Sequence, residues 1–226
     1  MHIPDGYLSP QTYIPCYLIS TAFCGIGLKK IRTEVSSRHI PYFAMAATFA
    51  FLIQMFNVPV PGGTSGHAVG AAVVALLLGP WTGVVAVSVV LIIQALVFGD
   101  GGITAIGANC LTMAVIMPFT AAGVFRLVRG RARTGRRVMI AAFAAGYISL
   151  LAAAIGAAIL FGIQPLIASG PDGRPLYAPY PLSVALPVMA LEHMFVFSII
   201  EGLITALLVN YFMKNEPDAV FALKGT

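Results

Sequence analysis

The sequence predicts an all-α polytopic membrane protein, and three observations carry that expectation. The 226 residues are 59% hydrophobic and 9% charged, with a mean hydropathy of +0.92; a soluble domain is charged at about 25% of its positions. The apolar residues fall in long continuous runs, not in the alternating stretches of about ten residues that build a β-barrel. Basic residues gather in alternate connecting loops, which is the charge asymmetry of a multi-spanning chain.

Seven apolar segments are read in order, at 13–28, 41–56, 67–79, 81–98, 104–128, 138–163 and 183–213. The breaks are a basic loop at 29–38, a Gly/Pro-rich loop at 57–66 and the pair Gly79-Pro80. Then come a glycine turn around Asp100, a basic loop at 129–137 and a polar loop at 164–180. Placing the loops at 29–38 and 126–137 and the tail after 214 on one side puts every Lys and Arg there except Arg174. The positive-inside rule makes that side cytoplasmic. Seven transmembrane helices then leave the N-terminus outside and the C-terminus cytoplasmic. The net charge of +5 is a topology signal and does not point to nucleic acid. The expected organisation is a single integral membrane domain over 1–226. It has an N-terminal segment at 1–12, a helical core at 13–213 and a tail at 214–226. No basic region precedes the first apolar run, so no cleavable signal peptide is expected.

The N-terminal segment carries the most specific chemistry. Met1 and His2 offer three nitrogens to one metal: the α-amine, the His2 amide and the imidazole Nδ1. Amine and amide close a five-membered chelate ring, amide and Nδ1 a six-membered one. A deprotonated amide favours square-planar Ni(II), Cu(II) and, less strictly, Co(II). Pro4 stiffens the chain behind the chelate and keeps it out of a helix. Binding is expected to strip protons from all three groups, so affinity should fall as pH drops through about 6.5.

A fourth nitrogen must come from elsewhere. His39 falls in the cytoplasmic loop, and His193 lies beside Glu192 in the last segment. His67 is on the outer side, at the start of the third segment. That segment is short: 13 residues give about 20 Å against a hydrocarbon core of about 30 Å. The 57–66 loop should therefore dip inward and line a cavity, the only setting in which irregular backbone is tolerated at that depth. The N-terminus can fold into the same cavity. Asn57, Thr64, Ser65, Asp100 and Asn109 are candidates to support the ligands from behind. Glu192 and Glu201 are intramembrane carboxylates nine residues apart, hence on nearly opposite helix faces; one is assigned to the cavity, and Glu201 to a contact with a partner subunit. Cys16, Cys24 and Cys110 are isolated and read as small buried hydrophobes, not as thiolate ligands or disulfides.

No Gly-x-x-x-x-Gly-Lys-[Ser/Thr] motif occurs, so any ATP hydrolysis belongs to other subunits. Ser65 and His67 are too close in sequence to converge as nucleophile and base. A catalytic metal would need an open coordination position, which a filled four-nitrogen plane lacks. The reading from the residues alone leaves open a metal channel or secondary transporter working without ATPase partners.

Three stretches carry a family resemblance: Met1-His2-Ile3-Pro4-Asp5-Gly6-Tyr7-Leu8, Asn57-Val58-Pro59-Val60-Pro61-Gly62-Gly63-Thr64-Ser65-Gly66-His67, and Glu201-Gly202-Leu203. Together they resemble the CbiM/NikM family, substrate-binding membrane components of energy-coupling-factor (ECF) transporters for cobalt and nickel. The resemblance runs over essentially the whole chain. It implies a seven-helix fold whose N-terminus plugs into the core. It implies metal held by Met1 and His2, with His67 completing a planar site. It also implies a multi-pass subunit of the bacterial or archaeal cell (inner) membrane, with no enzymatic activity of its own. The implied partners are a transmembrane coupling subunit, ATPase subunits and often a small accessory membrane protein. No resident cofactor is implied; Co2+ or Ni2+ is the cargo.

Overall fold

The computed structural model describes residues 1–34, 40–216 and 220–221. Arg38, His39, Lys224 and most of the tail lie outside the described residues. Among the described residues, five helices are long and apolar enough to cross a membrane. They are α1 (Pro10–Glu34), α4 (Pro80–Phe98), α5 (Ile106–Arg129), the helix α6 (Arg136–Gly162) that a short turn extends to Ile167, and α7 (Leu182–Asn215). Two shorter ones, α2 (Ile40–Gln54) and α3 (Ala71–Leu78), complete the bundle.

The helix starts and stops follow local chemistry. Pro10 opens α1 and Pro80 opens α4, where the missing N–H costs nothing. Gly79 separates α3 from α4 at φ +96°, a conformation only glycine adopts without strain. Three helices contain π-turns, at Gln94–Phe98, Cys110–Ile116 and His193–Phe197. Such turns concentrate at functional sites.

α6 is the spine. Its buried stripe is mostly small, with Ala141, Ala145, Gly146, Ser149, Ala153 and Ala157 facing neighbours. The closest crossing is with α7. A Cβ on Gly146 would lie 2.8 Å from the Glu201 carbonyl oxygen, and one on Gly202 would lie 2.9 Å from the Phe143 ring. Small residues at a helix crossing let backbones approach where no hydrophobic force drives association.

α3 departs from the expected segment. The apolar run begins at His67, but the helix begins only at Ala71, and 67–70 is non-helical. The eight residues of α3 rise about 12 Å. A two-residue antiparallel hairpin precedes it, pairing Val58 with Gly66 and Pro59 with Ser65. Together these elements form a non-helical inlet from 55 to 70, packed against α7.

The N-terminal segment does fold into the bundle. Met1, Ile3 and Leu8 are fully or nearly fully buried. Asn109 clamps the main chain of Ile3 from both sides: Ile3 N–H donates to Oδ1 (2.9 Å), and Nδ2 donates to the Ile3 carbonyl (3.2 Å). Ile3 also accepts from the Gly102 amide (2.9 Å). Further along, Ser9 N–H donates to Gln164 Oε1 (2.9 Å), and Gln164 Nε2 donates to Thr12 Oγ1 (2.9 Å).

The turn at Gly99–Gly102 presses against this strand so closely that a Cβ on Gly102 would sit 2.2 Å from the Asp5 nitrogen. Gly102→Ala is therefore expected to destabilise the protein by about 1–3 kcal/mol through overpacking. Thermal unfolding in detergent would measure it, with Gly123→Ala, a helical position whose Cβ would meet nothing within 4 Å, as the comparison free of overpacking and not expected to destabilise.

Candidate metal centre

Met1, His2 and His67 come together in the core. The Met1 amine is buried, donates to Ser65 Oγ at 2.7 Å and also contacts the Ser65 carbonyl. The imidazoles of His2 and His67 stack with centroids 4.5 Å apart and planes 17° apart. His2 is 5% exposed and His67 0%.

The hydrogen bonds fix which nitrogen of His67 is available. Its Nδ1 lies 3.0 Å from the Ala68 carbonyl, which can only accept, so Nδ1 carries the hydrogen. Nε2 is left with a free lone pair and is buried without a hydrogen-bond partner, as is Nε2 of His2. Buried nitrogens without partners are rare and need an explanation. A nitrogen-seeking cation supplies one for His67 Nε2. Among the described residues no three His, Cys, Asp or Glu side chains converge on one point. The donor set is two imidazoles plus main-chain nitrogen, which suits a late transition ion and not Ca2+ or Mg2+.

The supporting residues form a relay. His2 Nδ1 lies 3.0 Å from Asp100 Oδ1, and Asn57 Nδ2 donates to the same oxygen at 3.0 Å. Burial alone would raise the Asp100 carboxyl, but His2, the amine and Asn57 outweigh it and hold the group below its ordinary value. Burial pushes the Met1 amine down from 8.0 to about 4, against the opposing pull of Glu192 and Asp100. Burial is also the main cause lowering His2. Both groups are thus unprotonated at neutral pH.

The other expected supports divide. Ser65 holds the Met1 amine, itself a ligand candidate, and Asn109 holds Ile3, one residue from His2. The Thr64 hydroxyl lies 3.9 Å from Met189 Sδ. Glu201 is corrected. Expected at a partner subunit, it is fully buried, and its carboxylate accepts from Val69 and Gly70 N–H within the chain. Nine residues put Glu192 and Glu201 on opposite faces of an ideal helix, but the π-turn at His193–Phe197 lies between them and breaks that phase. Glu192 contacts His193 Nδ1 at 2.6 Å. The three cysteines are free; Cys16 and Cys110 are buried, and Cys24 lies 3.1 Å from Ser88 Oγ.

Two residues of the site carried no signal in the sequence. Asp5, which stands in the opening stretch with no role read for it, straps the N-terminus down. Its carboxylate accepts from Ile103 N–H (3.0 Å), Thr104 N–H (2.8 Å) and Thr104 Oγ1 (2.5 Å). Phe197 packs its ring where a Gly66 Cβ would otherwise lie, 1.9 Å away. A cleft of ≈560 Å³ opens over the site, walled by His2, Tyr7, Asn57, Thr64, Asp100 and Tyr180.

Residues 2–219 match the family model CbiM, described as a cobalt uptake substrate-specific transmembrane region. The chain belongs to the CbiM family. Among CbiM relatives, the fused nickel transport protein NikMN of Rhodobacter capsulatus is 50% identical over 219 residues. The match covers 96% of this chain and 63% of that longer protein. The cobalt transport protein CbiM of Ruminiclostridium cellulolyticum is 36% identical over 146 residues, covering 63% of this chain and 59% of the relative. A crystal structure of a transition metal transporter superposes with a TM-score of 0.92 at 41% identity, covering 100% of both chains. The fold is thus shared with that transition metal transporter, and the chain is a multi-pass membrane protein of the CbiM type.

The Asp5 strap generates a pH prediction. Thr104 hydroxyl and amide bonds, chiefly the hydroxyl, hold the Asp5 carboxyl below 3.8. The stability it contributes is complete above 3.8 and is lost as pH falls through the lower folded value. Measured relative to an unstructured amide at the same pH, the N-terminal segment should therefore be protected from hydrogen exchange at pH 5 and lose protection below pH 3.8, whereas in Asp5→Ala protection should be weak at both pH values.

Proposed function

We propose that this CbiM-type chain captures Ni2+ or Co2+ from outside the cell as the substrate-binding subunit of an ATP-driven ECF importer. The metal would be held by the Met1 amine, the His2 amide and Nδ1, and His67 Nε2. In this reading the whole chain is one membrane domain crossing seven times, with the N-terminus outside and the C-terminus cytoplasmic. The connectivity supports that orientation. The ends of α1, α5 and α7 and the start of α6 carry the basic residues at one end of the bundle. Lys30 there lies over the Trp81 ring at the start of α4, 4.7 Å from its centroid. The N-terminus is at the other end with the loop that holds Arg174, since Ala178 N–H donates to the Tyr7 carbonyl. The partners would be a transmembrane coupling subunit, ATPases and a small accessory protein; this chain has no ATP-binding motif of its own.

The observation that carries the reading is the free, buried Nε2 of His67 beside a buried, neutral N-terminus. Chelation through His2 Nδ1 requires the tautomer with hydrogen on Nε2 and a turn of the ring away from Asp100. Asp100 then stays as an anion beside the ion. A dication, a deprotonated amide and one carboxylate sum to zero charge, which a low-dielectric core demands. One relative is named a nickel transport protein and another a cobalt transport protein, and the same donors accept both ions.

Burial revises the expected proton release. An exposed amine of ordinary pKa 8.0 would be charged at pH 7 and would have to shed its proton. Here burial has lowered it to about 4, and His2 is lowered too. Only the amide proton remains to be displaced, so Ni2+ binding at pH 7 should release about one proton per ion. Calorimetry in buffers of different ionisation enthalpy reads this number directly. Release of two or more would mean the amine is charged.

The deciding experiment is metal content and visible absorption of protein with a native, untagged N-terminus. One tightly held Ni2+ per chain with a square-planar d–d band is expected. His2→Ala and His67→Ala should each lose ion, band and cellular uptake while eluting as folded protein. Binding indifferent to both substitutions would defeat the chelate and bring forward a channel or secondary transporter.

A further inference from the structure

His67 sits on backbone that has no regular structure to hold it. Residues 67–70 are neither helix nor strand, and Gly70, at φ +77°, gives α3 no side-chain cap. The four leading N–H groups of a helix need partners, and at membrane depth water cannot serve. The partner comes from far along the chain. Glu201, 0% exposed on α7, accepts from Val69 N–H with Oε2 (2.9 Å) and from Gly70 N–H with both oxygens (3.1 and 3.0 Å). One helical turn earlier, at the last residue of the π-turn, Phe197 fills the space beside Gly66. Gln54 Nε2 donates to the Val69 carbonyl at 3.2 Å. The segment carrying His67 is thus fixed at both ends by one face of α7.

We propose that Glu201 is a positioning residue for the metal site: its carboxylate anchors residues 69–70 and thereby sets where His67 Nε2 meets the ion. This rests on the reading of His67 as a ligand. A carboxylate is the group that can do it, because both of its oxygens only accept. The Glu201→Gln side chain keeps one accepting oxygen and turns an NH2 toward a second N–H. That repulsion is relieved by a shift of residues 69–70, and the shift carries His67 with it. The Glu201→Asp carboxylate keeps its charge but ends one methylene short, so it reaches the same donors only by drawing the segment toward α7.

The test uses the full chain with its native N-terminus, loaded with Ni2+ alone. Affinity is measured by chelator competition, ligand geometry by the d–d band, and fold by thermal unfolding. Glu201→Gln and Glu201→Asp are each expected to weaken Ni2+ binding by about 10- to 100-fold, the range for residues that orient ligands, and to shift or broaden the band. Thr205→Val, one turn further along α7 at another fully buried side chain, should leave affinity and band in place whatever it does to unfolding. A purely structural role would move unfolding temperature in all three variants and the band in none, and would overturn the proposal. If Glu201→Gln does not fold, Glu201→Asp decides alone: wild-type affinity with an unchanged band overturns it. His67→Ala is run alongside. Should that variant keep the ion, the ligand reading has failed; should it lose the ion while both Glu201 variants bind like wild type, only the positioning role has failed.

Discussion

Burying a chain terminus is the constraint on which the rest of this structure depends. An α-amine is ordinarily charged, and a lone charge in an apolar bundle is costly enough that the group gives up its proton instead. Met1 has done so, helped by Ser65 as a neutral hydrogen-bond partner. A neutral amine is a metal ligand; a charged one is not. The same burial that makes the terminus awkward to place therefore makes it reactive toward a cation. The clamp of Asn109 on Ile3, the glycine turn at 99–102 and the Asp5 strap all serve to hold that strand in a place it would not otherwise occupy.

The site is built almost wholly from irregular backbone inside a helical protein. Each polar main-chain group at that depth must find a partner within the chain. Here the partners are side chains from distant helices: Asn109 for Ile3, Gln164 for Ser9, Gln54 and Glu201 for Val69. All four are buried polar side chains in an otherwise apolar interior. They satisfy the inlet and the N-terminal strand, which then present His67 and His2 to each other.

Much of this was legible in the sequence. Hydropathy placed four of the long helices within a few residues: 81–98 against Pro80–Phe98, 104–128 against Ile106–Arg129, 138–163 against Arg136–Gly162, and 183–213 against Leu182–Asn215. It failed at 67–70, because Ala68, Val69 and Gly70 are as apolar in an extended chain as in a helix. What ends the helix there is Gly70 in a left-handed conformation and a carboxylate 131 residues away, and neither leaves a periodic trace. Met1, His2 and His67 were nameable because their donor chemistry is local or lies in a distinctive glycine-rich loop. Glu201 was noticed but sent to the wrong surface, since helical phase is counted at 100° per residue and a π-turn does not keep it. Asp5 was unreadable, its partners lying 98 and 99 positions off.

Those separations also fix the order in which the protein can be completed. The strand that begins the chain is pinned by Asn109, 106 residues later, and by Gln164, 155 residues after Ser9. Contacts of such high sequence separation form late, after the loops between them have closed. During synthesis the first residues to emerge must wait, undocked, until the helix ending at Gly162 has been made and packed. A nascent chain that stops before residue 164 has every donor atom of the site but neither the Gln164 contact with Ser9 nor the Glu201 anchor of residues 69–70.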